Sequence, residues 1–165
     1  MDAGDSARLT LGLPWDLTWD PTCVIIARLQ NCAFRKNFEE TSMIGYVTLG
    51  TRDLKRAAAF YDKIAAEMGI ERFIDSDTFI AWGGPDSGAG LGLGKPFDGK
   101  PMTVGTGVMV ALAARDRAEV DRVYQLALSL GGTDEGPPGP RGEQGFYAAY
   151  FRDLDGNKLN AFVMS

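Results

Sequence analysis

The sequence predicts an α+β fold: two tandem βαβββ modules whose sheets enclose a shared cavity, preceded by an N-terminal extension. Three observations predict it. A strand-then-helix pattern opens at Met43, three short strand candidates follow the helix, and the whole order recurs 63 residues later. The domain therefore reads as 43–165, made of repeats 43–100 and 101–165, behind an extension at 1–42.

Residues 1–42 carry two tryptophans in "LPWDLTWDP" and a β-branched run at 24–26, but no sustained period that assigns helix or strand. Two readings stand for them: an extension ahead of a natural start at Met43, or a cap packed on the domain. Residues 44–50, within "MIGYVTLG", have the β-branched and aromatic enrichment of a strand. Next, "TRDLKRAAAFYDKIAAEMG" sets Leu54, Ala57, Ala58, Tyr61, Ile64, Ala65 and Met68 at helical spacing. Thr51 or Asp53 is suited to cap its start, and Gly69 to end it. The segments "ERFID", "DTFIAWGG" and "AGLGLGKP" follow as strands between turn-forming residues.

Laid 63 places apart, "YVTLGTRD" at 46–53 matches "MVALAARD" at 109–116. Val47 meets Val110, Leu49 meets Leu112, Arg52 meets Arg115 and Asp53 meets Asp116; Tyr61 then meets Tyr124 and Gly69 meets Gly132. The second copy continues with "DRAEVDRVYQLALSLGG" as a helix and "TDEGPP", "GFYAAYFRD" and "NKLNAFVMS" as strands. A module of about 60 residues buries little core alone, so the two copies are expected to pack together.

Composition narrows the function. A 165-residue chain with 45% hydrophobic and 24% charged residues suits one globular domain. Its formal charge of -5 argues against nucleic-acid and acidic-membrane partners. Cys23 and Cys32 match neither a CxxC redox pair nor a zinc knuckle and read as two buried thiols in preference to a disulfide. No apolar run approaches the roughly 18 residues a membrane span needs, and the N-terminus lacks a basic leader region, so the expected location is the cytoplasm. The chain contains no histidine, which removes the commonest metal ligand and the usual general base near neutral pH.

A duplicated βαβββ unit with "DLKRAAAFY" after its first strand and "DLDGN" before its last resembles the vicinal oxygen chelate superfamily, home of glyoxalase I, extradiol dioxygenases, fosfomycin-resistance and bleomycin-binding proteins. The resemblance runs from Met43 to Ser165. Metal-dependent members hold a divalent ion in the shared concavity with His, Glu or Gln from the first and last strands of each unit. Carried across, those positions fall on Tyr46, Met109, Asn160 and, near the last strand of the first unit, Gly92. Tyr, Met, Asn and Gly supply neither imidazole nor carboxylate, so the implied metal site reads as dismantled. The resemblance also implies pairing into homodimers.

The candidate ligand contacts are Tyr46 and Met109 at the pocket floor, Gly92 on a glycine-lined strand face, Trp82, Tyr150 and Asn160. Phe146 and Phe162 continue the aromatic series, and Asn160 shares its face with Lys158 and Phe162. The glycines at 90, 92 and 94 either open that face for a ligand or accommodate a neighbouring strand. Arg141, in the Pro/Gly-rich connection "GPPGPRGEQGFY", is placed to meet an anionic group. No catalytic residue stands out.

Other motifs fail on spacing. "GAGLGLGK" has Ala89 and Pro96 where a phosphate loop needs Gly and Ser or Thr, and no GxSxG elbow is present. "FRDLDGNKLNAF" places Asp153 and Asp155 as a calcium loop does, but Gly156 comes two residues early. It reads instead as a turn in which Gly156 and Asn157 take positive φ and the aspartates bond to local backbone. The expected function is thus metal-free binding of a small organic molecule, with no nucleic acid or membrane partner. The alternative is a lyase or dioxygenase whose divalent metal uses substitute ligands such as Asp134, Glu135 or Glu143. A metal-free acid/base enzyme using Tyr46 or Tyr150 is a third reading, disfavoured because phenols in general titrate near about 10.

Overall fold

The computed structural model describes residues 44–83 and 88–164, all within one compact unit, Glu40–Ser165. The readings of 1–42 and of the two thiols lie outside the described residues. The first module consists of β1 (Tyr46–Gly50), α1 (Leu54–Glu67), β2 (Arg72–Asp75), β3 (Phe79–Trp82) and β4 (Gly90–Gly94). The second repeats it as β5 (Val110–Ala113), α2 (Arg117–Ser129), β6 (Thr133–Pro140), β7 (Phe146–Arg152) and β8 (Lys158–Met164). Each module forms a four-stranded sheet, ordered β1-β4-β3-β2 and β5-β8-β7-β6. The first and last strands of each pair in parallel and the remaining neighbours antiparallel. Among the described residues, no helix is long and apolar enough to cross a membrane.

Both helices start as their sequences dictate. The Asp53 carboxylate accepts from the Arg56 amide, and the Asp116 carboxylate from the Glu119 amide. They also end alike, though not at the aligned glycines. Gly69 has φ 73, and the residue that shares its left-handed conformation is Gly131, with φ 96. Gly132 serves a close approach instead: a Cβ there would lie 2.8 Å from the carbonyl oxygens of Ala127 and Arg152. Each helix lays its apolar stripe on one face of its sheet. Leu49, Ile80, Trp82 and Leu93 from the first sheet join Ala149, Phe151, Leu159 and Ala161 from the second in one core cluster with residues of both helices.

The modules are tied together at the "DLDGN" turn. Gly156 has φ 94, whereas no described residue other than glycine has positive φ, so Asn157 contributes its side chain rather than its backbone freedom. Asp153 Oδ1 accepts from the amides of Asp155 (2.9 Å) and Asn157 (2.8 Å), as local backbone bonding requires. Asp155 differs from that expectation. Its carboxylate reaches the other module, accepting from Thr51 Oγ1 at 2.6 Å and the Arg52 amide at 3.2 Å. Asn157 Nδ2 donates to Gly50 O (3.0 Å), and Tyr61 OH donates to Asp153 Oδ2 (2.9 Å). Both aspartates are therefore spent on the fold, and both are nearly shut off from water.

Candidate functional site

Strand pairing sorts the predicted residues by face. In the first sheet, Tyr46 lies opposite Gly90, Thr48 opposite Gly92, Gly92 opposite Ala81, and Gly94 opposite Phe79. Residues directly opposite share a face, so Tyr46, Gly92 and Phe79 occupy the side without a helix. Trp82 is one residue out of step and belongs to the other side. It is buried, 5.7 Å from the Tyr61 ring, with Nε1 donating to Asp62 Oδ1 at 3.0 Å. Arg72 binds that same carboxylate bidentately and holds it below its ordinary value.

The glycine stripe is covered by a side chain. A Cβ at Gly92 would lie 2.4 Å from Phe79 Cζ, and one at Gly90 would lie 3.1 Å from Phe73 Cε1. Tyr46 meets the edge of Phe79 with ring centroids 6.0 Å apart. Gly92 thus seats the Phe79 ring, while Gly90 admits both the Phe73 ring and the backbone of the neighbouring strand, whose Trp82 carbonyl oxygen lies 3.0 Å from a Cβ there. Sequence reasoning missed Phe73 and Phe79, although the alternation in "DTFIAW" would have put Phe79 on the other face of its strand from Ile80 and Trp82.

In the second sheet one row crosses four strands: Gly136 lies opposite Tyr150, Tyr150 opposite Asn160, and Asn160 opposite Ala111. Ala148 and Phe162 form the adjacent row on that helix-free face, and Phe162 packs against Phe146 at 5.5 Å. The Arg141 guanidinium lies 5.4 Å from the Tyr150 ring centre, and Lys158 Nζ lies 5.6 Å from it. Arg141 is the first residue of the short connection 141–145 between β6 and β7. Strand β6 runs through the Pro-rich segment to Pro140, with irregular register, and Arg141 folds back across Gly136. Prolines fit there because β6 is an edge strand, where a missing amide costs no sheet bond.

Asn160 is 1% exposed, and its Oδ1 has no hydrogen-bond partner. A buried acceptor left unpaired costs about 1–3 kcal/mol. Arg141 Nε is likewise buried and unpaired, while Arg141 Nη2 donates to Pro137 O at 2.6 Å. Met109 is exposed just before β5 and lines a cavity of about 480 Å³ with Arg152, Lys158 and the 104–108 loop. A second cavity, of about 270 Å³, joins the modules on the helix side, between Tyr61, Met68, Trp82, Leu91 and the strand 111–113. Of the seven predicted contacts only Trp82 lines it; Tyr46 and Gly92 lie on one helix-free face, and Tyr150 and Asn160 on the other.

The proposed substitute metal ligands are engaged elsewhere or apart. Asp134 accepts from Tyr124 OH (2.8 Å) and the Gly136 amide (2.7 Å). Glu135 pairs with Arg152 (2.6 Å) and Lys158 (3.1 Å), which together hold its carboxyl below the ordinary range. Glu143 is exposed in the connection between β6 and β7.

Two helix-backed sheets of mixed pairing, repeated in one chain with polar and aromatic residues on their helix-free faces, define the duplicated βαβββ class. The chain belongs to the glyoxalase/bleomycin resistance protein/dioxygenase superfamily, whose family model matches residues 43–161. It is similar to a glyoxalase/bleomycin resistance protein from Albidiferax ferrireducens T118, at 32% identity and TM-score 0.69, over 75% of this chain and 100% of that one. Two further structures share the fold at lower identity. A lactoylglutathione lyase from Agrobacterium tumefaciens is 23% identical with TM-score 0.55, over 76% of this chain and 96% of its own. A fosfomycin resistance protein from Listeria monocytogenes is 21% identical with TM-score 0.58, over 76% and 95%. Comparison with the curated proteins finds no match.

Proposed function

We propose that this chain binds a small organic molecule on the helix-free faces of its sheets, without the divalent ion of the family's metal-dependent members. The observation that carries this reading is the donor set at the four inherited positions. Tyr46, Gly92, Met109 and Asn160 offer a phenol, no side chain, a thioether and a neutral amide, which do not fit a divalent ion. At Gly92 the Phe79 ring fills the volume a ligating side chain would need. What remains on these faces is aromatic surface with a few polar groups, the usual make-up of an organic-ligand site. The exposed Tyr46, Met109 and Met164 add apolar surface suited to contact with a second copy, so the ligand is proposed to sit within a homodimer.

Native mass spectrometry of freshly purified protein tests the reading. The expected spectrum shows a dimer without stoichiometric metal, and chelation leaves the melting temperature unchanged. Stoichiometric Ni, Zn, Mn or Fe whose removal lowers the melting temperature sinks it. So does turnover of hemithioacetals or catechols on metal addition, which would instead support a lyase or dioxygenase.

A further inference from the structure

The row Gly136–Tyr150–Asn160–Ala111 carries a polar atom, Asn160 Oδ1, to which the fold gives no partner. Asn160 Oδ1 is a buried acceptor lacking a donor, on the same face as Tyr150. Among the described residues on this face, three cations, Arg141, Arg152 and Lys158, stand against one carboxylate, Glu135. Glu135 is shared by Arg152 and Lys158, and no described carboxylate pairs with Arg141. Arg141 is held instead by the Tyr150 ring and by Pro137 O, with Nε buried and unpaired and Nη1 left for a ligand. Beside them the Phe146–Phe162 pair, its rings tilted 44° to each other above the buried Ala148, forms an apolar patch. The cavity of about 480 Å³ meets this face at Arg152 and Lys158.

Resting on the organic-ligand reading above, we propose that this face is an anion subsite for a hydroxy- or amino-substituted unsaturated carboxylate. Arg141 and Lys158 take the carboxylate, a two-oxygen acceptor that suits so few free donors better than a phosphate. The planar body lies along Tyr150 and the phenylalanine pair, where offset or edge contacts between rings are favourable. The hydroxyl or amino group donates to Asn160 Oδ1 and satisfies it, so the subsite discriminates against analogues lacking that donor.

The test uses the full chain and three small probes: 4-hydroxybenzoate, benzoate and 4-hydroxybenzamide, with phenyl phosphate as the competing anion. Affinities are read by calorimetry and ligand-observed NMR. Binding of 4-hydroxybenzoate is expected to be about tenfold tighter than that of 4-hydroxybenzamide and several-fold tighter than that of benzoate. Arg141→Gln is expected to remove the first difference and Asn160→Leu the second. Arg141 lies at the end of an edge strand, so Arg141→Gln keeps the test valid if Asn160→Leu fails to fold. Equal affinity for the anion and the neutral amide, or no response to Arg141→Gln, overturns the proposal while leaving an organic-ligand site intact. Tighter binding of phenyl phosphate than of any carboxylate overturns the carboxylate assignment. If none of the four binds, the subsite is rejected; the metal content of the same sample shows separately whether the organic-ligand reading also fails.

Discussion

At Gly92 the strand carries a hydrogen where a Cβ would lie 2.4 Å from Phe79 Cζ. The residue is fixed by its neighbour, and the neighbour is a ring. Gly92→Ala therefore has to push Phe79 off the sheet, an overpacking that costs about 1–3 kcal/mol. In a Phe79→Leu background the same substitution is expected to cost about 1 kcal/mol less, because the two residues are in contact and not additive. Urea denaturation of the four proteins of this cycle reads the coupling directly; additive costs would mean that the ring does not seat on Gly92. The overlay of the two repeats brought Gly92 into view, but not its occupant. Phe79 and Gly92 stand on neighbouring strands, and which ring covers which glycine depends on register, which side-chain pattern alone leaves open.

The elements were legible where a local rule governs them. Strand and helix order follows from alternating periods and their duplication, and both helix starts follow from Asp53 and Asp116. The length of β6 was hidden because Pro and Gly signal a turn by themselves, and only an edge position makes them compatible with a strand. The face of Trp82 was hidden for a related reason, since a strand's alternation does not say which side its helix will cover. At α2 the cap has a second layer. Glu119 is buried, its carboxylate accepts from the Arg115 amide at 2.6 Å, and the Arg115 guanidinium pairs with it. Chiefly through that guanidinium, its pKa lies below the ordinary value of 4.5, although burial opposes the shift. A carboxyl depressed in the folded state stabilises fully above its unfolded pKa, and that contribution is lost as pH falls from about 4.5 toward the lower folded value. Glu119→Gln is expected to flatten this acid limb in melting curves recorded from pH 6 to 3, with the remaining carboxylates setting the residual slope. An unchanged slope would show that the pairing does not persist in solution.

Across the whole molecule the two modules are joined by residues about a hundred positions apart, which is why no local motif announced the joint. Tyr61 and Asp153 are both buried, and burial, then the Asp153 carboxylate, push the Tyr61 hydroxyl well above its ordinary value, so it stays a donor at any working pH. Asp153 accepts from this hydroxyl, from two turn amides and from Asn157 Nδ2, and Asn157 in turn holds Gly50 O. The two partners are therefore unequal. Tyr61→Phe removes one donor and leaves a carboxylate with three others, at an expected cost of about 1 kcal/mol. Asp153→Ala strands a buried phenol, two amides and the Asn157 side chain, at an expected cost of about 3 kcal/mol or more. Because the Tyr61 bond runs from one module to the other, and Asp153 also holds the Asn157 side chain that reaches Gly50 O, Asp153→Ala is also expected to weaken cooperativity between the modules. Fluorescence of Trp82, in the first module, read in a background in which Trp15 and Trp19 are replaced by Phe, would then lose coincidence with the far-ultraviolet dichroism of the whole chain during urea unfolding. Equal costs for the two substitutions would contradict this account, since they would mean that Asp153 serves only the one bond to Tyr61 and that the turn does not latch the modules.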